Sequence, residues 1–79
     1  MVSIFRAHGM RFVIFTNDHA PAHVHVFGDG EAKVNLVGAN GEPELVYATG
    51  MNFRDANLAM STIRQQQAQM IARWKEIHG

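Results

Sequence analysis

Three of the five histidines in this chain fall within a stretch of seven positions, at His19, His23 and His25. Imidazole changes its charge near neutral pH, so histidine serves both as an acid or base and as a metal ligand. Alternate residues of a β-strand share one face, and their α-carbons are roughly 7 Å apart. We therefore expect His23 and His25 to point into one space if residues 23–27 form a strand.

Two chemistries fit this histidine cluster. His23 and His25 suit two ligands of a zinc or similar divalent ion, whose bonds to imidazole nitrogen are about 2.0–2.1 Å long. Asp18 or His19 could complete three ligands and leave a fourth position for water. Without a metal, His19, His23 and His25 could form a catalytic acid–base set acting on RNA phosphodiesters, because one imidazole can be charged while its neighbour is neutral. A structural alternative stays open, in which the side chains are only solvated or hydrogen-bonded.

Two further groups of residues are weaker candidates. Arg6, Arg11 and Lys33 lie on neighbouring predicted strands and could bind a phosphate, although strand cations more often form a solvated face. Met70 and Trp74 share the apolar stripe of the predicted helix, where they could belong to the core or to a partner-binding surface. The chain has no cysteine, which excludes disulfide bridges and thiolate zinc sites.

Length and composition favour one small globular domain. Of the 79 residues, 47% are hydrophobic and 18% are charged, which is the range of packed rather than disordered chains. Seven basic and seven acidic residues cancel, so net charge predicts no general attraction to nucleic acid or membranes. The longest apolar run is far too short to span a bilayer and no signal segment is visible, so we expect a cytoplasmic protein. Because so small a domain buries little surface, self-association or a partner protein is expected.

The hydrophobic pattern predicts an α+β fold, with an N-terminal antiparallel β-meander of four or five strands followed by one long or broken C-terminal helix. The strands are predicted near residues 3–6, 10–16, 23–27, 31–37 and 44–49. The helical region is predicted at 53–78, with Asn52 as its N-cap and Phe53 as the first residue of its apolar stripe. An unbroken helix of this length would span about 39 Å, so we expect the helix either to overhang the sheet or to break, and residues 64–67 are the expected place for a break. The predicted core comprises Phe12, Ile14, Val34, Leu36, Met60, Ile63 and Trp74.

Three segments carry a resemblance to a known family: Ile4-Phe5-Arg6, the stretch from Asn17 to Val26, and the closing stretch from Trp74 to Gly79. They resemble a family of very small bacterial proteins known only as a domain of unknown function, with an Asp-His-x-Pro-x-His-Val-His-Val signature. The resemblance implies a gene arrangement like a toxin–antitoxin pair. This chain departs from the family pattern by having one proline, Pro21, where two are common, which leaves the loop that carries His19 less constrained.

The leading interpretation is a toxin-like component of a bacterial two-protein stress or defence module. It would act as a small ribonuclease through His19, His23 and His25, with no cofactor. The alternatives are a non-catalytic protein-interaction module and a small protein that binds zinc or a similar divalent metal. The expected partner is a cognate small protein or a second copy of the chain, RNA is a further candidate, and no membrane is involved.

Overall fold

The computed structural model describes all 79 residues as five strands followed by two helices. The strands are β1 (Val2–Ala7), β2 (Met10–Ile14), β3 (His23–Phe27), β4 (Glu31–Asn35) and β5 (Glu44–Thr49), and the helices are α1 (Phe53–Gln65) and α2 (Gln67–His78). The strands lie in the sheet in chain order, and every neighbouring pair is antiparallel. The predicted α+β meander is confirmed.

The strand bounds differ from the prediction chiefly at the C-terminal ends of β2 and β4, each of which is two residues shorter. After Ile14 the chain turns, because the Asp18 amide donates a hydrogen bond to the Phe15 carbonyl at 3.1 Å. Beyond the end of β4, the Leu36 amide donates to the Ala22 carbonyl at 2.9 Å. This hydrogen bond connects the residue after β4 to the residue before β3.

A two-residue turn joins β1 to β2. His8 and Gly9 both adopt the left-handed region, with φ of 55° and 74°. Two consecutive residues with positive φ form the turn that best matches the twist of a hairpin, and glycine adopts this region at little cost. The turn brings Arg6 opposite Arg11 on the paired strands.

The core lies between one face of the sheet and the two helices. Its buried residues are Met10, Phe12, Ile14, Val24, Val26, Ala32, Val34, Leu36, Ala59, Ile63, Met70 and Trp74. Six of the seven predicted core residues are therefore confirmed, and the seventh, Met60, is half-buried against this cluster. Phe53 was predicted on the same stripe, but its side chain is 72% exposed. The prediction fails because the residues of α1 that contact the core begin only at Leu58 and Ala59.

The predicted helix start and helix break are both present. The Asn52 side chain caps α1 by accepting a hydrogen bond from the Asp55 amide at 2.8 Å. The two helices meet at Gln66, whose φ of −107° interrupts the helical path. The next residue, Gln67, uses its side-chain amide to donate to the carbonyls of Leu36 at 2.7 Å and Gly41 at 3.0 Å. A polar residue in the apolar stripe thus satisfies two carbonyls of the chain between β4 and β5.

The break directs α2 back onto the sheet. Met70 and Trp74 are consequently buried within the chain, at 2% and 8% exposure, and do not form an open surface for a partner. The Trp74 ring stacks on the ring of His78, with centroids 3.8 Å apart. Neither helix has the length and apolar character needed to cross a membrane.

Candidate functional site

The sheet face opposite the core carries His23 and His25. In β3, Val24 and Val26 are fully buried in the core, and the alternating residues point the other way. His25 pairs with Val13 on one side and with Lys33 on the other. We call this side of the sheet the open face, because the apolar core between the sheet and the helices lies on the other side, although Val13 and His23 on this face are themselves buried.

Asp18 reaches the two histidines from the loop between β2 and β3. The loop closes on itself, since the Asp18 amide donates to the Phe15 carbonyl while the Phe15 amide donates to Asp18 Oδ2 at 3.3 Å. This reciprocal pair of hydrogen bonds resembles a capping arrangement, in which a short acidic side chain satisfies a nearby amide. It fixes the carboxylate at the N-terminal end of β3.

Three potential ligand atoms converge at this point. Asp18 Oδ2 lies 3.0 Å from His23 Nε2 and 3.5 Å from His25 Nε2. The ligand atoms of the three residues are all within 4.8 Å of one another. The side chains of His23, His25 and Asp18 are 6%, 14% and 19% exposed, so the cluster is mostly buried but still reaches solvent.

The hydrogen bonds of His23 determine which of its ring nitrogens faces the cluster as an acceptor. Its Nδ1 lies 2.8 Å from the Pro21 carbonyl oxygen, which can only accept, so Nδ1 carries the proton and donates. In the neutral ring, Nε2 then presents a lone pair to the Asp18 carboxylate 3.0 Å away. Two acceptors at this distance repel each other. The contact becomes favourable when a proton on Nε2 or a cation lies between them.

His25 is held in an aromatic environment that favours its neutral form. Burial lowers the pKa of His25 below 6.5, and the neighbouring His23 and Lys33 lower it further, while Asp18 acts in the opposite direction. The His25 ring meets the edge of the Phe15 ring at a centroid distance of 4.7 Å. Because a metal ion binds only the unprotonated nitrogen of imidazole, this shift prepares His25 to act as a ligand at neutral pH.

Two of the three separations between ligand atoms in this cluster are close to those of a tetrahedral metal site. Ligand bonds of about 2.0–2.1 Å place neighbouring ligand atoms of a tetrahedron about 3.4 Å apart. The two nitrogen–oxygen distances of 3.0 and 3.5 Å lie on either side of that value. The outer hydrogen bonds also match, because metal-binding histidines commonly donate their other N–H to a backbone carbonyl, as His23 does to Pro21.

The structure brings together some of the predicted site residues and separates others. Asp18, which the sequence offered as an alternative third ligand, completes the cluster. His19 is exposed, and its ring atoms do not belong to the converging group. Trp74 reaches the site from the core side, with its ring centroid 5.1 Å from that of His23. The contribution of Trp74 had no signal in the sequence beyond its place on the helical stripe.

The three predicted phosphate-binding residues lie on the open face, where Lys33 neighbours His25 of the cluster while Arg6 and Arg11 lie toward the β1–β2 turn. Arg6 is paired with Arg11 across β1 and β2, and Lys33 is paired with His25 across β3 and β4. None of the three forms a salt bridge within the chain. The Arg11 guanidinium lies over the Phe27 ring, 5.9 Å from its centroid.

The chain belongs to the DUF4160 family, a domain of unknown function, whose family model matches residues 9–75. The matched segment contains Asp18, His23 and His25, the whole of α1, and α2 without its last three residues. No curated protein and no solved structure matches the chain.

Proposed function

We propose that this member of the DUF4160 family binds one zinc or similar divalent transition-metal ion through Asp18, His23 and His25. The observation that carries the proposal is the contact between His23 Nε2 and Asp18 Oδ2 at 3.0 Å, while Nδ1 of the same ring donates to Pro21. A cation between the two facing acceptors resolves their repulsion. His25 Nε2, at 3.5 Å from the same oxygen, supplies the third ligand.

The ligand types restrict the metal. Two imidazoles and one carboxylate suit zinc, iron, nickel or copper, whereas magnesium and calcium prefer oxygen ligands alone. Three protein ligands leave one position of a tetrahedral site for water or substrate, as in catalytic zinc sites. A metal bound there would supply a water of lowered pKa, and the Pro21 carbonyl and the Phe15 amide would hold His23 and Asp18 in place.

Calorimetric titration of chelator-treated protein with zinc at pH 7.5 tests the proposal. We expect one ion per chain, and a loss of affinity of at least about 100-fold in His23→Ala and Asp18→Asn, since even outer-shell changes cost about 10–100-fold. His19→Ala is the matched control, because it removes a neighbouring imidazole outside the cluster and should leave the affinity unchanged. Absence of binding, or an equal loss in His19→Ala, would show that the proposed ligand set is wrong.

The second candidate is the toxin-like ribonuclease of a two-protein bacterial module, working without a metal. One observation favours it: a mostly neutral His25 lies beside His23, whose Nε2 is placed to share a proton with Asp18. Such a pair supplies a base for the 2′-hydroxyl and an acid for the leaving oxygen. The resemblance described above supports the biological setting. The limited exposure of both rings makes this candidate the weaker of the two.

Cleavage of a labelled RNA in the presence of a chelator separates the two candidates. Metal-independent catalysis predicts that RNA cleavage persists in the chelator and is abolished by His25→Ala. It also predicts that expression of the protein arrests bacterial growth and that co-expression of the neighbouring gene relieves the arrest. The metal proposal predicts no cleavage in the chelator. Variants are compared only after circular dichroism confirms that they fold.

A further inference from the structure

We propose that the open face of the sheet binds a single-stranded nucleic acid, with phosphates on Arg6 and Arg11 and bases on Phe27 and Tyr47. This inference goes beyond metal binding and does not depend on it. It rests on the placement of cations and aromatic rings on one face of an antiparallel sheet.

The arginine pair is the first observation. Arg6 and Arg11 are cross-strand partners, and like charges placed directly opposite each other destabilise a sheet. Neither arginine has a carboxylate partner within salt-bridge distance. The two line an open cleft of about 320 Å³ at the tip of the β1–β2 hairpin. Arginine guanidinium groups provide the planar donors from which phosphate oxygens accept hydrogen bonds, and this cleft has two arginines in its lining.

The aromatic residues are the second observation. Phe27 lies next to Arg11 across the strand pair and stacks nearly parallel to His25, with an interplanar angle of 13°. Tyr47 is 40% exposed and is paired with Lys33 on β4. Phe27 is half-buried, and the Arg11 guanidinium lies over its ring. Sheets that bind single strands use this combination, in which rings stack with bases and neighbouring cations hold the backbone.

Two of the three acidic groups of this face take part in hydrogen bonds or ion pairs, and the third, Glu44, is paired with Asn35 at the far end of β4 and β5. Glu31 accepts a hydrogen bond from the Tyr47 hydroxyl at 3.4 Å, and Asp18 is held by the two histidines. These carboxylates keep their negative charge but lie on β4, on β5 or in the β2–β3 loop, so the positive charge of this face is local to Arg6 and Arg11 on the β1–β2 hairpin. An acidic peptide would match the positive charge but would not stack on the rings, so the aromatic residues beside Arg11 and Lys33 favour a nucleic acid.

The cleft lies close to the cluster of Asp18, His23 and His25. Along β2 and β3, the pair Arg11 and Phe27 is two residues away from the pair Val13 and His25. Two residues of strand correspond to about 7 Å. A single-stranded nucleic acid bound at Arg6 and Arg11 can therefore extend past His25.

Fluorescence anisotropy tests the proposal. The ligands are a labelled eight-nucleotide RNA, a DNA of the same sequence, the matching RNA duplex and polyglutamate. The measurements use low salt and a chelator, so that a failed metal site does not affect them. We expect the single strands to bind, with RNA, DNA or both as the source of the shared phosphate and base chemistry. Affinity should fall as salt rises, because binding releases counterions.

Matched variants provide the decisive comparison. The double variant Arg6→Gln/Arg11→Gln should weaken single-strand binding at least tenfold. Arg54→Gln/Arg64→Gln removes the same charge from exposed positions on α1 and should change it less than twofold. Phe27→Leu keeps an apolar side chain but removes the ring, and should weaken binding while leaving the thermal midpoint near that of the parent.

Several outcomes would overturn the proposal. These are no single-strand binding at low salt, equal losses in the two double variants, and binding of the duplex or polyglutamate as tight as that of the single strand. If an arginine variant fails to fold, a competition of unlabelled inorganic phosphate against the labelled strand on the parent replaces it. Failure of phosphate to compete at any concentration would then also contradict the proposal.

Discussion

The two faces of the sheet are built from the same strands but carry opposite chemistry. On the face covered by the helices, Val24 and Val26 of β3 are fully buried among other apolar side chains. On the open face, His23 and His25 of the same strand meet a carboxylate, aromatic rings and a lysine. One strand of five residues thus contributes to both the core and the candidate site.

This difference shows how a small chain without cysteine can separate stability from function. Alternation lets each strand place apolar residues on one side and titratable residues on the other. The open-face cluster can then keep a contact that is unfavourable without a proton or a cation, because the covered face supplies the stability. Substitutions on the two faces should accordingly differ in what they change.

The largest expected difference is in the free energy of unfolding, between substitutions at two neighbouring residues of β2. Phe12→Ala should lower the free energy of unfolding by about 3–5 kcal/mol, because it leaves a cavity under the helices. Arg11→Ala, on the open face, should cost no more than about 1 kcal/mol, the size of its contact with the Phe27 ring. Urea denaturation followed by circular dichroism measures both. Comparable losses would remove the distinction between the two faces.

An intermediate effect is expected where the covering helices join the sheet. Gln67→Ala should lower the free energy of unfolding by about 1–3 kcal/mol, because the Leu36 carbonyl loses its donor in a partly buried place. Gln65→Ala is the control, since it changes an exposed glutamine two residues away. The same urea experiment checks the pair, and equal midpoints for the two variants would contradict the role given to Gln67.

The smallest expected effect is a pH dependence of stability that comes from His25 on the open face. Because burial lowers the pKa of His25, the folded chain holds this proton less tightly than the unfolded chain, where histidine titrates near 6.5. The contribution of His25 to stability is therefore complete above pH 6.5 and is lost as pH falls from 6.5 through the lowered pKa. In His25→Gln this part of the pH dependence should vanish. Thermal midpoints measured from pH 5 to 8 test it, and identical slopes for parent and variant would contradict the assignment.

Much of the fold could be predicted because its signals are periodic. Alternation identified β3 with its observed bounds and placed His23 and His25 on one face, and the change to steps of three and four located both helices. The polar interruption near Gln67 marked the helix break. Phe53 was misplaced because periodicity does not show where along a helix the contact with the sheet begins.

The third member of the site could not be chosen from spacing alone. Asp18 and His19 are adjacent in a loop, where no period determines direction. The choice depends on the hydrogen bonds between Phe15 and Asp18, which turn the carboxylate toward β3 and leave His19 in solvent. The burial of Met70 and Trp74 likewise depends on the direction that α2 takes after Gln66, and a helical stripe does not encode that direction.

The most direct test of the metal proposal is a long-range nitrogen–proton NMR spectrum of the histidine rings, recorded with and without one equivalent of zinc at pH 7.5. The account predicts that His23 keeps its proton on Nδ1, that the Nε2 signals of His23 and His25 move to metal-bound positions, and that His8 and His19 stay unchanged. Unchanged Nε2 signals for His23 and His25, or a shift that appears only at His8 or His19, would contradict it.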